Sequence, residues 1–501
     1  MKRAIAIGVV TAAIVGRVSL SSAQVKPDPL SGLGAYIDKA RQDWKIPGLA
    51  VSIVKNDSVV FAKGFGVREL GKPDLVDERT LFAIGSNTKS FTDTAAAMLV
   101  ADGKLKWNDK ASDLLPGFQL YDPYVTREIT LRDLLSHRAG LGRRGDMLWY
   151  GTGYDRDEII RRIRHLEPNA GFRTEMGYQN IMVLTAGQIL GKVSGLGWDE
   201  LIRKRIFEPL GMTTSFTSMR EMPSRSNVAT PHSIEAEKVS VIPHRNIDNI
   251  GPAGSIYSSV AEMANYLRFQ IGRGTYNGNK LVSAMFLDQT WTPQINVGGS
   301  GDSLTHFTSY GMGWVLLDYR GRKIAWHNGG IDGFLSEMWV VPEEKLGVMV
   351  LTNGSPHALG QPLVMSIIDR FLGAPEKDRS AEALKQYQQQ LTALEGERKR
   401  IESQRVMGTQ PSLPLERYQG TYVDPMYGDF TVWLEGGRLL ARYQGFQGPL
   451  EHWHFNTFRV SWGQSLAGGS VFVTFQIDAM AEVVKAEVQN VAVFRRPPKK
   501  A

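Results

Sequence analysis

The order of elements along the chain predicts an α+β fold: an antiparallel sheet flanked by helices, with a smaller C-terminal β-barrel-like domain after it. Three observations predict it. Strand patterns open the chain and return only after residue 311, with helical patterns between, so both ends complete one sheet. Residues 376–405 are rich in Glu, Lys, Gln and Arg and separate this unit from the C-terminal residues. From Leu415 to Phe494 the pattern is nearly all strand. The 501 residues also exceed what one core supports, roughly 250–300 residues.

Leu49 to Phe65 alternates as a hairpin, with Asn56-Asp57 as its turn. A helix runs from Ser86 to Ala101 and ends near Gly103. Thr130-Leu131-Arg132-Asp133 is a capped start of a short helix. Asp157–His165, Met182–Val193 and the amphipathic stretch Ser258–Gly272 are further helices. Strands return at Gly311–Tyr319, Arg322–His327, Ser336–Pro342 and Gly347–Thr352, and a helix over Leu363–Leu372 closes the unit. In the charged stretch, Leu384, Tyr387, Leu391 and Leu394 form a sparse stripe that packs on a neighbouring domain, until Pro411 and Pro414 break the helix. Beyond it, Gly436-Gly437 turns one hairpin, and Val471, Val473, Phe475 and Ile477 alternate.

The N-terminus has its own logic. Met1-Lys2-Arg3 is a basic start, Ala4–Val15 is apolar and uncharged, and Ser21-Ser22-Ala23 offers small residues. That is a secretory signal cleaved after Ala23, too short for a spanning helix. The expected divisions are therefore 1–23 signal peptide, 24–372 catalytic domain, 373–410 linker and 411–501 C-terminal domain. The expected location is periplasmic or secreted, with no stable membrane insertion after cleavage. The chain has no cysteine, which excludes disulfides, thiolate metal sites, a cysteine nucleophile and a lipid-modified cysteine after the leader. The net charge of +7 is spread thinly, with no basic stripe interleaved with aromatics, so no nucleic-acid partner is expected.

Chemistry concentrates in three places. S-x-x-K occurs twice. Ser52 and Lys55 lie in a strand, where an offset of three puts them on opposite faces. Ser86 and Lys89 lie at a helix start, where the same offset puts both on one face. The helix N-terminus favours a developing oxyanion, and the tight apolar Phe82-Ala83-Ile84-Gly85 desolvates the lysine so that it can act as a base. Tyr178-Gln179-Asn180 is the only Y-x-N, and His327-Asn328-Gly329, before Gly330, is the only H-x-G. G-x-S-x-G, H-E-x-x-H and Walker loops are missing. His452 and His454 share a strand face but are too few for a metal site. The aromatic residues Trp149, Tyr150 and Tyr154 either line a cleft or pack in a loop.

The order Ser-x-x-Lys, Tyr-x-Asn, His-x-Gly resembles the β-lactamase-related serine hydrolases, a superfamily of penicillin-binding DD-peptidases, class C β-lactamases, D-aminopeptidases and carboxylesterases. Leu134-Leu135-Ser136-His137 with Gly140-Leu141, Pro252–Ser258, and His327–Phe334 with Met338 and Thr352-Asn353-Gly354 share the resemblance, which covers about residues 30–372. The C-terminal domain resembles the lipocalin-like barrel appended to some members. The resemblance implies a β-lactamase/transpeptidase-like fold with an all-helical subdomain. It implies Ser86 as nucleophile, with Lys89 and Tyr178 sharing the proton work and their order left open. Asn180 would hold the substrate amide, and His327 would support Tyr178 or a substrate carboxylate. The backbone around Gly329 and Gly330, with the Ser86 N–H, would supply the oxyanion hole. Many β-lactamases have lysine where His327 stands, and a histidine is mostly neutral at pH 7, so peptidase or esterase action ranks above β-lactamase action. A sensor or scaffold that acylates without turnover is the alternative of another class. No cofactor or metal is implied. The expected partners are a small-molecule or peptide substrate and a second copy of the chain bound through the C-terminal domain.

Overall fold

The computed structural model describes residues 28–235, 238–299, 303–462 and 470–498. The leader lies outside the described residues. Helix α1 (Leu33–Asp43) leads into strands β1 (Gly48–Lys55) and β2 (Ser58–Gly66). Asn56 and Asp57 turn the hairpin at φ 50° and 64°, the left-handed pair that a two-residue connection requires. Six later strands complete the sheet: β3 (Ile295–Gly298), β4 (Thr308–Tyr310), β5 (Val315–Tyr319), β6 (Arg322–Ile331), β7 (Phe334–Val341) and β8 (Leu346–Thr352). The spatial order is β2-β1-β8-β7-β6-β5-β4-β3, with every pair antiparallel. The first strand thus pairs with the last, Val51 opposite Val350.

Alternation along β1 divides the interior. Leu49, Val51 and Ile53 face one core with Ile37 and Trp44. Ala50 and Val54 face the other core, which the helical subdomain fills. That subdomain is built around α2 (Thr88–Ala101), α3 (Asn180–Ser194) and α4 (Val260–Ile271). Helix α2 is buried on nearly every side, as a helix central to a bundle must be. The Thr130–Asp133 capping box is present, and Asp133 also binds Arg138 at 2.5 Å and Arg173 at 2.7 Å.

Two strands differ from expectation. Residues 311–314 form a turn, closed by Gly311 N–H donating to the Trp314 carbonyl at 2.8 Å. Gly313 sits there at φ 70° against Asp93, where a β-carbon would clash. Strand β6 continues past His327 to Ile331, because pairing with β7 runs on to a tight Asp332-Gly333 turn.

After α5 (Gly360–Leu372), the linker helix α6 spans Arg379–Ser403. Its first turns are docked. Trp44 donates to Ser380, Arg379 pairs with Asp369 at 2.6 Å, and Tyr387 packs 5.4 Å from Trp44. The rest of the expected stripe does not pack: Leu391 and Leu394 are exposed. The C-terminal residues form a closed barrel of eight strands, β9 (Gly420–Asp424), β10 (Gly428–Glu435), β11 (Arg438–Tyr443), β12 (Phe446–His454), β13 (Thr457–Ser461), β14 (Ser470–Ile477), β15 (Val483–Val488) and β16 (Ala492–Arg495). The first and last strands close it through Val423 and Arg495. Among the described residues, no helix is long and apolar enough to cross a membrane.

Candidate active site

Ser86 lies in a tight 3₁₀ turn, Gly85–Asn87, and the α-helix proper begins at Thr88. This corrects the expectation of an α-helix starting at Ser86. The physical cause is the clamp that holds the turn against the sheet. Ser336 on β7 donates to the Ile84 carbonyl at 2.7 Å and accepts from Asn87 Nδ2 at 2.7 Å. Gly85 has φ 51°, and a β-carbon on it would lie 2.6 Å from the Gly330 nitrogen. Gly329 is equally confined, with the Ile84 carbonyl where its β-carbon would be. The two glycines therefore let the Ser86 turn rest on β6, side by side with the Gly330 backbone.

The side chains then converge. Lys89 Nζ is 2.9 Å from Ser86 Oγ, and Tyr178 Oη is 2.9 Å from the same oxygen. Lys89 also donates to the Ala253 carbonyl at 2.7 Å, which gives the Pro252–Ser258 stretch its place. Burial drives the Lys89 amine down from its ordinary value to about 7, with Arg143 adding to the effect and Asp146 and Asp93 opposing it. Burial pushes the Tyr178 phenol the other way, above its ordinary value, so it stays protonated. The second S-x-x-K pair is dispersed: Ser52 is buried and Lys55 binds Glu344.

Asn180 is the first residue of α3, after Gln179 as N-cap, and its amide donates to Asp146 at 3.0 Å. His327 is buried on β6. Its Nδ1 is 2.5 Å from the Asn328 carbonyl, which can only accept, so Nδ1 carries the proton and Nε2 accepts from Tyr310 Oη at 3.1 Å. Burial, helped by Lys89, holds His327 down at about 3. It is therefore neutral, with Tyr310 as its hydrogen-bond partner and its ring centroid 6.2 Å from that of Tyr178. Gly329 and Gly330 stand where the turn meets the strand.

Several further residues stand at the site, of which His137 belongs to the stretch that shares the resemblance and the others carry no motif. His137 lies under Tyr178, ring centroids 4.2 Å apart, and accepts from the Gln179 N–H. Arg143 is exposed, with its guanidinium 4.6 Å from the Tyr178 ring centroid. Asp146 receives both Asn180 and Trp149. Asp93, one turn beyond Lys89, is buried without a hydrogen-bond partner, and burial lifts it well above the carboxylate range. Of Arg143, Asp146 and Asp93, only Asp93 was within reach of sequence reasoning, as an acid at i+4 from the lysine inside an apolar helix. A larger cavity of about 650 Å³ lies between the β6–β7 hairpin and the helices after it, beside Glu337 and His357, and none of Ser86, Lys89 or Tyr178 borders it. Among the described residues, no group of three or more His, Cys, Asp or Glu is placed to hold a metal ion.

A hydroxyl held between a neutral-leaning amine and a protonated phenol, beside a strand edge, is the equipment of a serine acyl-transfer enzyme. Comparison with known proteins agrees. The Beta-lactamase family model matches residues 34–363, and the chain belongs to that family, as a serine hydrolase of the β-lactamase-related superfamily. Residues 404–497 match a domain of unknown function, DUF3471. Unguisins hydrolase ungD' of Aspergillus campestris is 28% identical, over 84% of this chain and 81% of that protein. Penicillin-binding protein 4 of Amycolatopsis lactamdurans is 29% identical, over 63% of this chain and 83% of that protein. The octameric penicillin-binding protein homologue of Pyrococcus abyssi superimposes with a TM-score of 0.62 at 25% identity, over 93% of this chain and 99% of that one.

Proposed function

We propose that this chain is an exported hydrolase that cleaves an amide or ester bond through a Ser86 acyl-enzyme, as a peptidase on D-amino-acid peptides or as a carboxylesterase. One observation carries the reading: Ser86 Oγ sits 2.9 Å from both Lys89 Nζ and Tyr178 Oη, with the amine lowered to about 7 and the phenol raised. In this reading Lys89 is the base. Its neutral amine takes the Ser86 proton as Oγ bonds to the carbonyl carbon. The negative carbonyl oxygen is met by the Ser86 and Gly330 N–H groups. Tyr178 gives its proton to the leaving amine or alcohol and recovers one from Lys89. Water then repeats the steps on the acyl-enzyme and frees Ser86. Asn180 positions the substrate amide through its remaining N–H.

The cation at the site is Arg143, beside Tyr178, so a substrate carboxylate has a partner even though position 327 is neutral. A relative that matches 84% of this chain is named a hydrolase, which supports turnover over a silent sensor. Export rests on the leader residues. Self-association is in keeping with the octameric state named for the Pyrococcus abyssi neighbour.

The test compares wild type and Ser86→Ala on a p-nitrophenyl ester and a D-amino-acid p-nitroanilide, with intact-mass measurement after adding a penicillin. Turnover of at least one substrate, reduced about 10⁴-fold or more by Ser86→Ala, is the expected result. Near-normal rates in Ser86→Ala would overturn the assignment. A penicillin adduct that never leaves, with neither chromogenic substrate cleaved, would replace it with the sensor reading.

A further inference from the structure

The barrel is filled at one end and hollow at the other. At the filled end Tyr418, Tyr422, Phe458 and Phe475 pack with ring centroids 5.1–5.7 Å apart. The opposite end is formed by the start of β10, the end of β11, the start of β12, the end of β13 and the start of β14. It encloses a cavity of about 430 Å³ lined by Phe446, Trp462, Val488 and Phe494, with Trp149 and Tyr150 across the mouth. An eight-stranded barrel is just wide enough either to fill with side chains or to hold one small ligand, and this one does half of each. The volume lies within the ordinary range for small-molecule sites, about 300–1,000 Å³.

The mouth faces the catalytic domain. Tyr443 donates to the Met147 carbonyl at 3.0 Å, Tyr427 to the Arg144 carbonyl at 2.7 Å, and Phe446 stacks on Tyr150 with ring centroids 5.8 Å apart. Arg143 and Asp146 complete the lining. These two residues also touch the catalytic group: Arg143 lies on the Tyr178 ring, and Asp146 holds the Asn180 amide. The same two side chains therefore border both the cavity and the active site. Trp149 Nε1, Tyr150 Oη and Tyr443 Oη are engaged with Asp146, Asp332 and Met147, so on the barrel side the described lining offers mainly apolar shape.

We propose that the hollow barrel mouth is a substrate subsite that receives an aromatic or branched aliphatic group of the molecule whose carbonyl Ser86 attacks. The proposal rests on the hydrolase reading and adds a substrate class to it: amides or esters with a bulky apolar group close to the scissile bond. Of the two roles open to the Trp149–Tyr150 pair, it assigns the lining of the cleft.

The experiment uses the full-length protein and two ester series, one varying the acyl group from acetate to 3-phenylpropanoate and one varying the alcohol from methyl to 2-phenylethyl. In at least one series kcat/KM is expected to rise 10-fold or more with the apolar group. Val491→Trp, which fills the cavity from the barrel side, is expected to bring that ratio towards one. Val471→Phe, from strand β14, repeats the test if the first variant does not fold. Independently, the neutral apolar dye N-phenyl-1-naphthylamine is titrated into Ser86→Ala and into Ser86→Ala with Val491→Trp. Saturable one-to-one binding, weakened 10-fold or more by the second substitution, is expected. Ratios near one in both series while Ser86-dependent turnover persists would overturn the subsite and leave the hydrolase reading standing. Dye binding with neither an ester nor a D-amino-acid p-nitroanilide turned over would overturn both.

Discussion

Lys89 shows how a motif becomes a catalyst. On the surface its amine would be charged at neutral pH. Enclosed in α2 against the Ala253 carbonyl, it is held at about 7 by burial, because the ammonium form loses hydration that its neighbours only partly replace. A base acts when unprotonated, so kcat/KM is expected to rise with pH through about 7 and level off above it. His327, held at about 3, contributes no limb in that range. A pH–rate profile checks this, and a rate independent of pH between about 5 and 9 would contradict Lys89 as base. Ser86 and Lys89 were legible because their spacing has a local meaning on a helix, and Tyr178 through the resemblance that the order of the three motifs carries. Arg143, Asp146 and Ser336 were not, since their partners are Tyr178, Asn180 and Ile84, and no local pattern records such contacts.

At the scale of elements, the 3₁₀ turn before α2 matters more than the helix behind it. Gly85 is under two constraints at once: a left-handed φ of 51° and the Gly330 nitrogen 2.6 Å from any β-carbon. Gly85→Ala must either twist the turn or push β6 away, and both separate the Ser86 N–H from the Gly330 N–H. Displacing one oxyanion donor costs roughly 10²–10³ in kcat, so a loss of about 100-fold is expected with the fold retained. Steady-state kinetics beside circular dichroism tests it, and an unchanged kcat would remove these two N–H groups from the mechanism. The hairpin of β1 and β2, the capping box at Thr130 and helix α4 were all readable, because turn residues, caps and periodicity act within a few residues. The break at 311–314 was hidden, since the reason for it is Asp93 on another element.

At the scale of the whole molecule, the barrel is seated on the segment that carries Arg143 and Asp146. Gly151 marks the seat: it has φ 66°, and a β-carbon there would lie 2.3 Å from the Phe446 ring. Tyr154 adds a donation to the Tyr427 carbonyl, and Arg162 one to the Met426 carbonyl at 3.0 Å. Such contacts couple the two bodies, so calorimetry of the wild type is expected to show one unfolding transition. Gly151→Arg, which no longer fits under Phe446, is expected to split it into two. A single unchanged transition in that variant would mean that the seat contributes little.

What the sequence determined by itself were the properties that act over short range: the strand and helix periods, the turn residues, the all-β character after residue 415, and the Ser86–Lys89 offset. From these came the α+β class and, with the resemblance carried by the three motifs, a serine nucleophile. Only the tertiary structure decided the protonation of Lys89 and Tyr178, the neutrality of His327, the seat of Ser86 on Gly330, and the hollow barrel mouth beside Arg143. The physical reason is common to all four. Burial, dielectric environment and cavity volume belong to surfaces that meet from distant parts of the chain, and none of them exists until those parts have packed.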